Sequence, residues 1–310
     1  NKKKTREGIT YNAYSITKTF TALAVMQLVE KGQIVLDEAV NKYLDYLPYP
    51  DITIRQLLSH SAGIANPIPL KWVHLAEEHD NFDWNTFFDP VIAKYSKTKF
   101  APNTRFLYSN LGYVILGKLI EKVSGTSYED YIRKNIIQVL DIATDALDFS
   151  IKEADQHAIG YHNKASLTYY VLGLLMDKSR FMDTSAGKWR SFRNMALNGP
   201  SYGGLIGTAE AFVIYVQELL RDDCRLLSED AKRIMFTENK TESGKLTGMS
   251  LSWFIGEING NRYYTHAGGG GGYYCEMRIY RTLGMGSIIM FNRSGMKDER
   301  FLDKVDRFFI

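Results

Sequence analysis

Ser15 and Lys18 stand one turn apart in "TYNAYSITKTFTALAVMQLVEKG", at the head of an otherwise apolar segment. Residues at i and i+3 share a helix face, so the amine lies near the hydroxyl. Such a pair can act as nucleophile and proton acceptor. The plainer reading is a capping serine followed by a solvated lysine. Ser-x-x-Lys spacing occurs four times, at Ser15/Lys18, Ser96/Lys99, Ser185/Lys188 and Ser294/Lys297, but only the first pair opens a buried apolar helix. That context offers unpaired N–H groups and a positive dipole end to a developing oxyanion. It also disfavours an ammonium, which pushes Lys18 towards the neutral base a nucleophile needs.

Two further stretches carry candidate chemistry. Tyr-x-Asn occurs at Tyr108/Asn110 and Tyr161/Asn163; the first sits in "PNTRFLYSNLGY", a turn signal running directly into an apolar helix. A phenol there could relay protons to a leaving group, and Asn110 could hold the lysine and a substrate amide in register; the alternative is a packed tyrosine and a helix cap. "YYTHAGGGGGYY" holds five glycines, Gly268 to Gly272. No Gly-Lys-Ser/Thr follows and the run joins two β-rich segments, so a phosphate loop is excluded. Glycines at a strand edge let a substrate lie close to backbone, and their N–H groups, that of Gly269 above all, could donate to an oxyanion. His266 would project from the same strand towards the same cleft, or be a satisfied structural histidine. The other histidines lack helical i, i+4 pairing, so no metal site is expected.

The elements that must position these residues fall into three zones. Residues 1–58 read as a short strand from Thr10 to Tyr14, then a helix that is apolar on most faces and ends before Gly32. Residues 59–203 read as an inserted, mostly helical domain, with one helix over 111–123, a Ser-Gly break at 124–125 and a second helix from Ser127. The aromatic-rich stretches 66–101 and 160–200 are weakly periodic and read as long binding loops. From residue 204 the α/β texture returns: a helix in "TAEAFVIYVQELL", four β-rich runs ("LSWFIGEI", "RYYTHAG", "YYCEMRIY", "GSIIMFN") forming an antiparallel meander, and a helix in "DERFLDKVDRFFI". The expected fold is therefore α/β, with a discontinuous sheet domain (1–58 and 204–310), an inserted helical domain (59–203) and a cleft between them.

Composition bounds the rest. With 310 residues, 45% hydrophobic and 24% charged, the chain has an ordinary globular balance and enough length for a substantial core. A net charge of +3 argues for neither nucleic acid nor a membrane surface, and the basic run Asn1-Lys2-Lys3-Lys4 reads as a solvated tail. The longest apolar runs, such as "YYVLGLLM" (169–176), are too short to span a bilayer. Cys224 and Cys275 make no metal, redox or disulfide framework.

Taken together and in order, "SITK", "YSN" and "HAGG" resemble the serine β-lactamase and penicillin-binding-protein superfamily, in its branch of AmpC-type β-lactamases, D-aminopeptidases and related esterases. "SITKTFTALAVMQLVEKGQIVLDEAVNKYL", "ITIRQLLSHSAGI" and "YGGLIGTAEAF" extend the likeness over nearly the whole chain. The Ser-x-x-Lys, Ser-Asp-Asn and Lys-Thr-Gly set is a stock signature of that superfamily, and the mechanism is inherited from it. The resemblance implies a β-lactamase-like fold, with Ser15 as acylated nucleophile and Lys18 as its base. Tyr108 would assist proton transfer, Asn110 would contact Lys18 and substrate, and His266 would take the third-motif lysine position. The Ser15 and Gly269 N–H groups would form the oxyanion hole, with Gly268 at the same substrate-binding edge.

Two departures from the pattern bear on substrate. His-Ala-Gly replaces Lys-Thr-Gly, so Ala267 lacks a hydroxyl and His266 need not carry charge near neutrality. A charge-assisted hydrogen bond contributes roughly 1.5–3 kcal/mol, so its loss tilts the site away from carboxylate-bearing β-lactams and towards uncharged esters or amides. Second, only 14 residues precede Ser15, fewer than the family normally has, which implies an unpaired β edge. The resulting expectation is a serine hydrolase working through an acyl-enzyme on an ester or amide, without cofactor, nucleic-acid partner or transmembrane segment. The alternatives are a D-alanyl-D-alanine carboxypeptidase or D-aminopeptidase, a weak β-lactamase, or a non-catalytic descendant that binds cell-wall peptide or protein. A periplasmic or secreted location is implied by the resemblance alone.

Overall fold

The computed structural model describes residues 6–67, 71–295 and 300–310. The Asn1-Lys2-Lys3-Lys4 run and Lys297 lie outside the described residues. Helices pack around antiparallel sheets, the architecture that the resemblance implies.

The helix Thr17–Glu30 runs through the interior, with every residue from Thr17 to Leu28 buried. A helix apolar on nearly all sides must be surrounded. The helix Asn110–Ser124 and the short turn of helix Pro200–Gly203 pack against it. Phe20 stacks on Tyr215 of the helix Ala209–Leu220, with centroids 4.0 Å apart. Gly32 adopts φ +68° just past the helix end, the left-handed position that favours glycine at a C-terminal stop.

The four β-rich runs form the expected meander: Phe254–Ile258, Asn261–Gly270, Tyr273–Tyr280 and Met285–Phe291 pair in chain order, all antiparallel. Register sets Gly268 opposite Cys275 and His266 opposite Met277. The helix Ala209–Leu220 lies on the last strand so closely that a Cβ at Gly286 would overlap Val216. Among the described residues that strand is at the sheet edge. A second small sheet joins Tyr11–Asn12, Ile206–Gly207 and Leu147–Asp148.

Two expectations are corrected. The stretches 66–101 and 160–200 are largely regular: Val73–Leu75 pairs with Met195–Leu197, Trp84–Lys94 is a helix capped by Asp83, and Tyr161–Asn163, Trp189–Phe192 and Met182–Ala186 form a three-stranded sheet. Each strand is only three to five residues long. Such lengths leave too few residues for a clear period of two, so pairing rather than periodicity reveals them. The closing helix is a single turn, Asp303–Asp306.

That turn is tied to the sheet by a buried charge cluster. The Arg278 guanidinium, fully buried, meets Glu276 Oε1 at 2.5 Å, Asp303 Oδ1 at 2.8 Å and Asp306 Oδ2 at 3.4 Å, and lies 3.9 Å over the Tyr263 ring. Removing one partner from such a cluster leaves the others buried without compensation. Arg278→Met is expected to lower stability by about 3–5 kcal/mol in urea unfolding; a loss below about 1 kcal/mol would show that the cluster is not holding the C-terminal turn to the sheet.

Candidate functional site

Ser15 is the one residue between Tyr11 and Leu28 that is not buried. It lies in a single 3₁₀ turn, Tyr14–Ile16, ahead of the long helix, and no side chain caps that helix. Tyr14 takes φ +46°, a conformation a bulky residue adopts only where its surroundings impose it.

Those surroundings come from two sides. On one, segment 201–205 forms a ladder: Ala13 N–H donates to Leu205 O (2.9 Å), Leu205 N–H to Thr17 Oγ1 (3.1 Å), Lys18 Nζ to Tyr202 O (2.6 Å) and Thr21 Oγ1 to Ser201 O (2.7 Å). On the other, the buried Cys275 thiol, whose pKa burial pushes up, donates to Ala13 O at 3.0 Å.

The glycine run completes this second side. A Cβ at Gly268 would overlap the Ala13 carbonyl oxygen and come within 2.9 Å of Ser15 N, and one at Gly271 would strike the Tyr14 hydroxyl. The close approach expected for a substrate is thus used largely by the chain's own turn. Gly269 differs: it is exposed, and its nearest neighbour on that side is Tyr273 O at 3.6 Å.

The hydroxyl of Ser15 is the meeting point of two side chains. Lys18 Nζ lies 3.0 Å from Ser15 Oγ, and Tyr108 OH donates to the same oxygen at 2.8 Å. Lys18 is fully buried beneath the rings of Tyr108, Tyr113 and Tyr202, its nitrogen 5.0–5.5 Å from their centroids. Its only polar partners among the described residues are Ser15 and the Tyr202 carbonyl. Loss of hydration therefore holds its pKa well below the usual 10.5.

Tyr108 is fixed by His60. On either side of it, Leu107 N–H donates to His60 O (2.8 Å) and Ser109 N–H to His60 Nδ1 (3.1 Å), while the two rings pack with centroids 4.3 Å apart. Burial, reinforced by Lys18, keeps the His60 imidazole well below its usual pKa. Because Nδ1 accepts, the proton of the neutral ring sits on Nε2.

His266 also lies inside this cluster, its ring 6.3 Å from that of Tyr108 and 5.5 Å from Phe254. Burial first, then Lys18, brings its pKa to about 3. Its Nδ1–H donates to Ala267 O (2.9 Å), leaving a buried Nε2 lone pair without a partner among the described residues.

Asn110 is placed differently from the expected contact. Asn66 Oδ1 takes both its backbone N–H (3.0 Å) and its Nδ2 (3.2 Å), and the place beside Lys18 is filled by the Tyr202 carbonyl. The structure thus gathers Ser15, Lys18, Tyr108 and His266, sets Gly268 and Gly269 on the adjoining strand, and engages Asn110 with Asn66. Tyr202, His60, Asn66 and Tyr14 were not singled out from sequence as site residues. The available signal was the segments "YGGL" and "LLSHSAGIAN" around three of them.

The Beta-lactamase family model matches residues 1–308, and the chain belongs to that family, within the β-lactamase and penicillin-binding-protein-like serine hydrolase superfamily. It is 27% identical over 272 residues to penicillin-binding protein 4* of Bacillus subtilis, covering 86% of this chain and 57% of that protein. It superposes on the octameric penicillin-binding protein homologue from Pyrococcus abyssi with a TM-score of 0.73 and 26% identity, over 93% of this chain and 63% of that one. The D-amino acid amidase from Ochrobactrum anthropi SV3, complexed with L-phenylalanine amide, gives a TM-score of 0.72 at 21% identity, over 100% of this chain and 85% of that one. The chain thus spans somewhat over half the length of the B. subtilis relative.

The buried imidazoles make stability pH-dependent. His266 (about 3) and His157 (about 4, lowered by burial) bind protons less readily folded than unfolded, where 6.5 applies. Between pH 6.5 and about 3 the unfolded chain therefore holds more protons, so these groups lower stability as pH falls through that window. Urea midpoints followed downward from pH 7 should fall, and His266→Asn should flatten the slope. An equal slope in the variant would show that His266 titrates alike in the folded and unfolded states.

Proposed function

We propose that the chain is a serine hydrolase that acylates Ser15 with the acyl part of an uncharged carboxylic ester or amide and then transfers it to water. The observation that carries this is the convergence on Ser15 Oγ of a dehydrated amine at 3.0 Å and a phenol at 2.8 Å, at the one opening in an otherwise buried stretch.

With Lys18 neutral, its lone pair takes the Ser15 proton as Oγ attacks the carbonyl carbon, and its remaining N–H groups keep the bond to Tyr202 O. The oxyanion would be held by the N–H groups of Ser15 and Gly269, with Gly268 bringing strand and turn together. The proton gained by Lys18 passes to the leaving alcohol or amine through Tyr108, and water then cleaves the acyl-enzyme. In this reading the site lies between the discontinuous part, 1–58 and 204–310, which supplies Ser15, Lys18 and His266, and the inserted part, 59–203, which supplies Tyr108 and Tyr202.

The choice of uncharged substrates is supported by His266. A buried, neutral imidazole presents no cation where a lysine would offer one to a substrate carboxylate. The amidase likeness favours D-amino-acid amides as the second substrate class to assay.

Incubation with p-nitrophenyl esters, D-amino-acid amides and nitrocefin, followed by peptide mass mapping, should show an acyl mass on the peptide holding Ser15, with none in Ser15→Ala. Lys18→Ala should lower kcat/KM by about 10²–10⁴. In the wild type the acid limb of kcat/KM should have its midpoint well below 10.5, where Lys18 loses its proton. No adduct with any of the three classes would reject the hydrolase reading in favour of a binding role.

A further inference from the structure

The helix Leu167–Leu175 is apolar on both faces. Tyr169 and Leu172 pack inward on a small core of Leu75, Met176, Phe192 and Met195. Leu167, Tyr170, Val171 and Leu174 occur at i, i+3, i+4 and i+7 and all point to solvent, with Leu167 78% and Leu174 85% exposed. Scattered exposed apolar residues are ordinary; a complete helical stripe is not.

The rim of this stripe is basic. Residues 161–193 hold Lys164, Lys178, Arg180, Lys188, Arg190 and Arg193 against Asp177 and Asp183, and with Glu77 and Glu78, which pair with two of the arginines, the local balance is six minus four, or +2. Arg180 and Arg193 are committed to Glu78 (2.7 Å) and Glu77 (3.0 Å). The other four pair with no carboxylate among the described residues. Lys164 and Lys188 lie just before the helix, joined by the main-chain bond of Lys164 N–H to Lys188 O (2.8 Å). After it, the Lys178 ammonium sits 3.9 Å over the ring of the inward-packed Tyr169, and Arg190 donates to the Tyr169 hydroxyl (3.0 Å) and the Asp183 carbonyl (3.2 Å).

We infer that this face docks the protein on an anionic lipid surface. An apolar stripe with two lysines at its head, Lys164 and Lys188, that lack acidic partners among the described residues matches the boundary between acyl chains and negatively charged headgroups. The small core beneath the helix reaches towards the candidate site: Met195 stands 2.9 Å from the position a Cβ would take on Gly271, beside the Tyr14 turn. The inference does not depend on the hydrolase reading.

The test is co-sedimentation of the full chain with vesicles of phosphatidylcholine alone and of equal parts phosphatidylcholine and phosphatidylglycerol, at low and raised salt. Binding should require the anionic lipid and weaken with salt. Lys164→Gln and Lys188→Gln should each weaken it about fivefold, and Leu174→Glu about tenfold or more. Urea midpoints within error of wild type would show that these exposed substitutions leave the fold intact. The inference is overturned if anionic vesicles fail to sediment the protein, if both vesicle types bind equally, or if Leu174→Glu leaves vesicle binding unchanged. It is also overturned if the wild type is a dimer that Leu174→Glu splits while neither binds vesicles, since a second copy then covers the face.

Discussion

An amine removed from water without a counter-charge is the constraint on which the site depends. Lys18 has a hydroxyl and a carbonyl as its polar neighbours and three aromatic rings around it. Burying an ammonium in such a place is costly, and the group answers by giving up its proton more readily. The same burial is what makes the helix Thr17–Glu30 fit, since a lysine on a helix apolar all round has no route to the surface. Packing and electrostatics are therefore one requirement here: whatever seals the helix also lowers the pKa of Lys18, as the proposed role of base requires.

The second requirement is that Ser15 stay open while its neighbours close. The left-handed backbone at Tyr14 turns the chain so that Ser15 faces out and Tyr14 faces in, where it lies 6.2 Å from the Tyr273 ring. Residues 201–205 hold the turn by hydrogen bonds and the strand Asn261–Gly270 holds it by contact, with glycine at the points where a side chain would push them apart. His60 does for Tyr108 what this clamp does for Ser15, binding the main chain on either side and packing on the ring. Two separately fixed groups thus meet at hydrogen-bond distance.

Much of this was legible in sequence because side-chain identity carried it. Local pattern alone leaves Ser15 and Lys18 open between a cap and a reactive pair, and Tyr108 open between packing and chemistry; the ordered resemblance of "SITK", "YSN" and "HAGG" singles them out, while the meander is marked by β-rich runs and glycine or Asn-Gly turns. What stayed hidden is of two kinds. Tyr202 acts through its carbonyl, which every residue has, so no side-chain pattern could announce it. Asn66 takes the amide of Asn110 through a contact 44 residues apart in the chain, which only the folded structure reveals. The strands between 160 and 200 were missed for want of length, and the local charge around the helix Leu167–Leu175 was lost in the average over 310 residues.

The central claim is that Lys18 is a dehydrated amine poised as a base, and its own titration tests that most directly. Lysine side chains labelled with ¹⁵N or ¹³C, with Lys18→Arg to assign the signal, would be followed by NMR from neutral to alkaline pH. The account predicts one lysine signal that changes well below 10.5, apart from the exposed lysines, and that vanishes in the variant. A Lys18 signal titrating together with the exposed lysines would contradict it.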